Sequence, residues 1–102
     1  MAKLPNRASE DRVAKGVLKI AASRADGLAT FRRIRAELPD VVKLTDANKR
    51  ISDTRPNEPM WHQIVRNIKC HDNVPGNIIH DGLAVSVPKV GYRITDAGRK
   101  RV

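Results

Sequence analysis

Two features of the sequence predict an α+β domain: a core of three helices, then a β-hairpin and a short terminal helix. Apolar residues recur at three- and four-residue spacing from Val13 to Leu38 and again from Met60 to Ile68, the period of helices buried on one face. From Leu83 to Ile94 the pattern changes to alternation on either side of Pro88-Lys-Val-Gly91, which reads as two short strands and their turn.

Taken in order, residues 1–8 carry no periodicity and are expected to form a flexible basic N-terminus, with residues 9–102 a single domain. Ser9 is placed to cap the first helix, with Glu10 and Asp11 in the first turn, where negative charge suits the helix dipole. Val13, Val17, Ile20 and Ala21 form its apolar stripe, and Asp26-Gly27 is the expected stop. Leu28-Ala29 reads as a very short strand or an extended link. Thr30 caps a second helix with Phe31, Ile34 and Leu38 facing inward, and Pro39 is expected to end it because the residue before a proline is driven out of the helical region. Thr45 caps a brief turn of helix through Ile51, with Leu44, Ala47 and Ile51 inward, and 52–57 reads as a turn-rich loop.

The longest polar and apolar division lies in residues 58–71. Met60, Trp61, Ile64, Val65 and Ile68 share one face, and His62, Gln63, Arg66, Asn67 and Lys69 occupy the other. Asn57 is the expected cap, with Pro59 in the first turn, where a missing amide proton costs nothing. After a break at 72–77, Leu83, Val85 and Val87 alternate as the buried face of a strand, and Tyr92 and Ile94 as that of its partner; Ile78-Ile79 also fit a last short turn of helix ending at Gly82. Thr95 caps the terminal helix, Asp96 lies in its first turn, and Arg99-Lys-Arg101 gather at its C-terminal end.

Composition narrows the function. A chain of 102 residues holds one core and little room for a large catalytic cleft. The net charge of +9 calls for a polyanionic partner, with nucleic acid ahead of an anionic membrane, a ribosomal environment or an acidic protein. The basic excess sits at the two ends of the chain, with a nearly balanced middle. The lone Cys70 permits no internal disulfide, and no apolar run reaches the length of a membrane span, so a cytoplasmic protein is expected.

Three helices followed by a two-stranded wing are the elements of a winged helix-turn-helix domain, in which the helix over 58–71 enters the major groove and the hairpin turn reaches a neighbouring groove or phosphate. Arg55-Pro-Asn-Glu-Pro-Met-Trp61, with Val65-Arg-Asn-Ile68 and Gly91-Tyr-Arg-Ile-Thr-Asp-Ala-Gly98, resembles the winged-helix domains of bacterial restriction endonucleases, including the N-terminal domain of Mrr-type proteins. Trp61, Tyr92, Thr95 and Gly98 carry the resemblance, which is sharp only over 55–98. It implies DNA binding, for a nuclease domain or subunit supplied elsewhere. The related domains usually precede a nuclease domain, and this sequence contains no separated Asp, Glu-x-Lys nuclease pattern, so it is expected to be either an excised N-terminal domain or a free-standing module, binding without cleaving.

Candidate DNA contacts follow from side-chain chemistry. Arg66 and Asn67 can bond bidentately to guanine and adenine; Gln63 and His62 lie earlier on the same face and lead if the helix enters by its N-terminus; Lys69 suits a phosphate. Lys89 at the hairpin turn, with Arg93 beside it, is the expected wing contact, while Arg32, Arg33, Arg35 and Arg55 suit the backbone. Trp61 and Tyr92 are assigned to the core. Cys70, His71 and His80 lack the Cys-x-x-Cys element of a zinc site, and Cys70 and His71 point about 100° apart on a helix, so neither a metal, a cofactor nor a catalytic pair is expected. The reading is a double-stranded DNA-binding module of a restriction-type system, monomeric or weakly homodimeric. Its alternatives are a free-standing winged-helix transcriptional regulator and a winged helix that binds an acidic protein.

Overall fold

The computed structural model describes residues 6–51 and 58–102, with side chains from Glu10 onward except Ala47. Its elements are α1 (Asn6–Ala22), β1 (Leu28–Thr30), α2 (Phe31–Val41), α3 (Asp46–Lys49), α4 (Met60–Cys70), β2 (Ala84–Val87), β3 (Gly91–Ile94) and α5 (Asp96–Arg101). The three strands form one antiparallel sheet in the order β1-β3-β2, so the predicted hairpin gains the short segment after Gly27 as a third strand. The predicted fold class is the one observed.

Helices α1, α2 and α4 pack their apolar stripes together and against the inner face of the sheet. Val13, Val17 and Ile20 of α1, Ile34 and Leu38 of α2, and Trp61, Ile64, Val65 and Ile68 of α4 are buried, with Ala29, Tyr92 and Ile94 supplied by the sheet. Close approach of α1 to α2 depends on Gly16. A Cβ there would lie 2.6 Å from Leu38 Cδ1 and 2.7 Å from Val42 Cγ1.

Several boundaries differ from expectation. Helix α1 begins at Asn6, so Ser9 lies inside it and the first turn holds no acidic residue. It stops at Ala22, where the Ser23 hydroxyl bonds the Ile20 carbonyl at 2.7 Å, and Gly27 (φ 68) then turns the chain into β1. Helix α2 runs through Pro39 to Val41. Proline in a final turn forfeits only one amide bond, and the Val42 amide still closes that turn on Leu38 at 3.1 Å while Val41 and Val42 pack over Gly16. Helix α3 is capped by Thr45 as expected, in a reciprocal capping box with Asn48, but it ends at Lys49. Ile51 is 51% exposed instead of inward, because the chain straightens and bridges to Pro59. Helix α4 starts at Met60 with Pro59 as its N-cap; the Met60 amide donates to the Arg50 carbonyl at 2.7 Å, a backbone partner in place of a side-chain cap. Asn57, the expected cap, and the 52–57 loop lie outside the described residues.

In the hairpin the buried face is shifted by one residue. Val85 is 46% exposed, and Ala84 faces inward opposite Ile94, with Ser86 opposite Tyr92. A one-residue shift exchanges the two faces of a strand. The large side chains of β3 fill the space beneath the sheet, which leaves room only for small ones across from them. Residues 72–83 form consecutive turns, including 78–79, where a short helix was an alternative. Buried Asn77 organises them: its Nδ2 donates to the Ile68 carbonyl at 2.8 Å, and its Oδ1 accepts from the Ile79 and His80 amides.

The sequence Gly91-Tyr-Arg-Ile-Thr-Asp-Ala-Gly98 now has a physical account. A Cβ at Gly91 (φ 156) would fall 2.1 Å from the Ala29 carbonyl oxygen, so only glycine lets β1 pair here. Tyr92 is fully buried, with its hydroxyl donating to the Val65 carbonyl at 2.6 Å. Thr95 caps α5 through the Gly98 amide and also donates to the Gly82 carbonyl. Gly98 packs so closely that a Cβ would lie 2.1 Å from the Leu83 carbonyl oxygen.

Candidate nucleic-acid interface

Helix α4 is fixed by its buried stripe and by the Tyr92 hydroxyl, leaving its polar residues along one outer side. His62, Gln63, Arg66 and Asn67 are half-buried there, and Lys69 is exposed. Between this side and α2 runs a groove of about 140 Å³ lined by Phe31, Arg35, His62, Val65, Arg66 and Lys69. Phe31 lies edge-on to Tyr92, with ring centroids 5.7 Å apart. Thus four of the basic or imidazole residues picked from sequence, on two different helices, converge on one groove.

An acid is paired with two of these lining residues. Glu58, just ahead of α4, accepts from Arg66 Nη2 through Oε1 at 2.5 Å, and its Oε2 lies 4.0 Å from His62 Nδ1. The His62 ring stands edge-on against Trp61. Burial depresses its pKa below the ordinary 6.5, and Arg35 and Arg66 push the same way against the opposing pull of Glu58. His62 therefore enters neutral conditions as an uncharged donor and acceptor.

The wing is tied to the start of α2. Val90 accepts from the Phe31 amide at 2.8 Å, so Lys89 and Arg32 each sit one residue from the same hydrogen bond, and both are exposed. The Val90 amide bonds the Val87 carbonyl at 2.9 Å across Pro88 and Lys89, and Lys89 has φ 65. Proline followed by a residue at positive φ is the pattern of a type II turn, whose second central position favours glycine. Among the described residues Lys89 alone combines a side chain with positive φ.

Other predicted contacts are set apart. Arg33 donates to the Leu28 carbonyl at 2.7 Å and pairs with Asp26 at 3.5 Å, tying α2 to β1. Arg93 is exposed between Leu28 and Val85 on the outer face of the sheet, opposite the face that carries Tyr92 toward α4. Arg55 lies outside the described residues. At the C-terminal end of the chain, Arg99 donates to the Ala22 and Arg24 carbonyls at 3.2 and 3.1 Å and so closes the end of α1. His71 pairs with Glu10 at 2.8 Å, linking the end of α4 to α1, and His80 pairs with Asp81 at 3.0 Å. Among the described residues no group of three or more His, Cys, Asp or Glu side chains is arranged to hold a metal ion, and no described helix is long and apolar enough to cross a membrane.

Sequence reasoning missed Glu58. Its local signals were an acid two residues before an apolar-periodic segment, which ordinarily marks a favourable helix dipole contact, and a histidine four residues further on. Pairing with Arg66, in the second turn of the helix, lies outside the three- and four-residue neighbour rule.

The sheet order, the helix packing and the hairpin define a winged-helix-like domain. No family model, curated protein or solved structure matches the chain, so the resemblance to restriction endonucleases rests on the motif residues themselves.

Proposed function

We propose that the domain binds double-stranded DNA through α4 and the wing, and catalyses nothing itself. The observation that carries this is the convergence of Arg35, His62, Arg66 and Lys69 on the groove between α2 and α4, in a chain of net charge +9. A helix with donors along one outer side suits the major groove, and the exposed Lys89 and Arg32 suit the flanking phosphates. The unusual backbone at Lys89 adds support, since strain kept at a turn tip commonly serves a contact.

Within that reading, a restriction-type role in which the domain recognises a site for a nuclease domain or partner is supported by the Arg55–Trp61 and Gly91–Gly98 motifs. In the second motif Gly91, Tyr92, Thr95 and Gly98 also have packing and capping roles, so it speaks more for the fold and the first motif more for the restriction context. A free-standing transcriptional regulator uses the same surface and differs in requiring a dimer on paired half-sites.

Titration of the protein into mixed-sequence duplex at several salt concentrations tests the proposal. Dissociation constants on the order of 10⁻⁴ to 10⁻⁶ M are expected, with log affinity falling by about 0.9 per log salt for each phosphate met. Arg66→Ala and Lys89→Ala should each weaken binding. A folded protein that binds no duplex at low salt refutes the proposal and favours an acidic protein partner.

A further inference from the structure

Resting on the DNA-binding reading, we propose that Glu58 is a specificity-determining positioning residue, which holds the Arg66 guanidinium to read a guanine from the groove side of α4. The ion pair joins the segment ahead of α4 to the second turn of the helix and fixes a long side chain that α4 alone would leave free to rotate. Arginine carries five N–H donors, and the bond to Glu58 engages Nη2, which leaves Nη1, Nε and the second Nη2 proton for a partner. Two parallel acceptors, such as guanine O6 and N7, match that fork.

Glu58 stands where an acid suits the helix dipole, and on this surface its carboxylate has a further consequence. At 34% and 24% side-chain exposure the pair is only partly screened by solvent. It also brings a negative charge to the face that meets a polyanion, weakening attachment to every duplex alike. Within DNA binding, the step it helps is recognition. A site that offers Arg66 its paired acceptors recovers the electrostatic cost, and a site that lacks them does not, so the acid widens the gap between right and wrong sequences. The neighbouring His62, 4.0 Å from the same carboxylate and held neutral by burial and by Arg35 and Arg66, adds no compensating positive charge at neutral pH.

The test is selection of bound duplexes from a library with a randomised central segment, using the full chain and its Glu58→Gln, Arg66→Lys and Arg66→Ala variants. Thermal melting first establishes that each variant is folded. The parent protein should enrich guanine at one position by roughly tenfold, the size of one good bidentate contact. Both Arg66 variants should lose that enrichment, lysine included, since it keeps the charge but lacks the fork. Glu58→Gln should lose most of the enrichment while binding unselected duplex several-fold more tightly, a combination that a merely structural role does not produce. Enrichment that survives Glu58→Gln, or that survives Arg66→Ala, overturns the inference. So does duplex binding by the parent without any guanine preference, which leaves DNA binding itself intact. A parent protein that captures no duplex defeats both readings together.

Discussion

Lys89 occupies the tip of the wing with φ 65, in the left-handed region that costs a residue with a side chain roughly 1–2 kcal/mol. Glycine removes that cost but frees the unfolded chain by about 0.4–1 kcal/mol. Lys89→Gly should therefore be stabilising by about 0.5–1 kcal/mol, an upward shift in Tm of roughly 3–6 °C for a domain of this size. The same change removes the proposed phosphate contact. In the counterion-release picture, one contact contributes about 0.9 to the salt slope, so at 0.1 M monovalent salt the affinity should fall by roughly eightfold. Thermal melting and duplex titration at four or five salt concentrations read the two effects separately. A variant that is more stable, binds more weakly and shows a shallower salt slope fits a lysine retained for contact at the expense of backbone comfort. Unchanged affinity and slope would refute the DNA role of the wing tip, and a loss of stability would refute the account of the strain.

Three further outcomes follow from the packing and the titrating groups. Tyr92→Phe deletes the bond to the Val65 carbonyl and should destabilise by about 1–2 kcal/mol, read as a lower urea midpoint. Because burial lifts the Tyr92 pKa to about 12, its contribution is complete below pH 10 and is lost as pH rises toward 12, and the Phe variant should lack that alkaline fall. Gly98→Ala drives a methyl into the Leu83 carbonyl and should cost at least about 2 kcal/mol despite the better helix propensity of alanine, visible as a depressed Tm. The depressed pKa of His62 means that the unfolded chain binds a proton first, so stability is complete above pH 6.5 and declines as pH falls through the lower folded value; His62→Gln should flatten a denaturation series across that window. The exposed Asp26 and Asp81, also held below their ordinary 3.8, act only in stronger acid and do not confuse the reading.

Much of the fold was legible because its determinants are local. Thr30, Thr45 and Thr95 cap their helices through bonds that span three residues, and the buried stripes of α1, α2 and α4 repeat at the helical period. What escaped depends on distant partners. The inward face of β2 is set by the bulk of Tyr92 and Ile94 across the hairpin, which made Val85 outward against its own hydrophobicity. Pro39 obeys its local rule only where nothing holds the turn beyond it, and here Val41 and Val42 dock on Gly16. In the candidate site, the sequence indicated the polar side of α4 and the wing lysine, but periodicity could not reveal that Arg33 is engaged by Leu28 and Asp26, or that Arg66 is held by Glu58.

The bond from the Phe31 amide to the Val90 carbonyl has a mechanical consequence. Together with the Tyr92 hydroxyl on α4, it joins the hairpin, at its turn and on the adjoining strand, to two different helices. Such a hairpin behaves as the fixed jaw of a caliper. The separation between Lys89 and the polar side of α4 is set before any partner arrives, so little ordering entropy is spent on association. A duplex that touches both must supply the matching groove width, and sequences that adopt that width without strain are favoured at positions no side chain reaches.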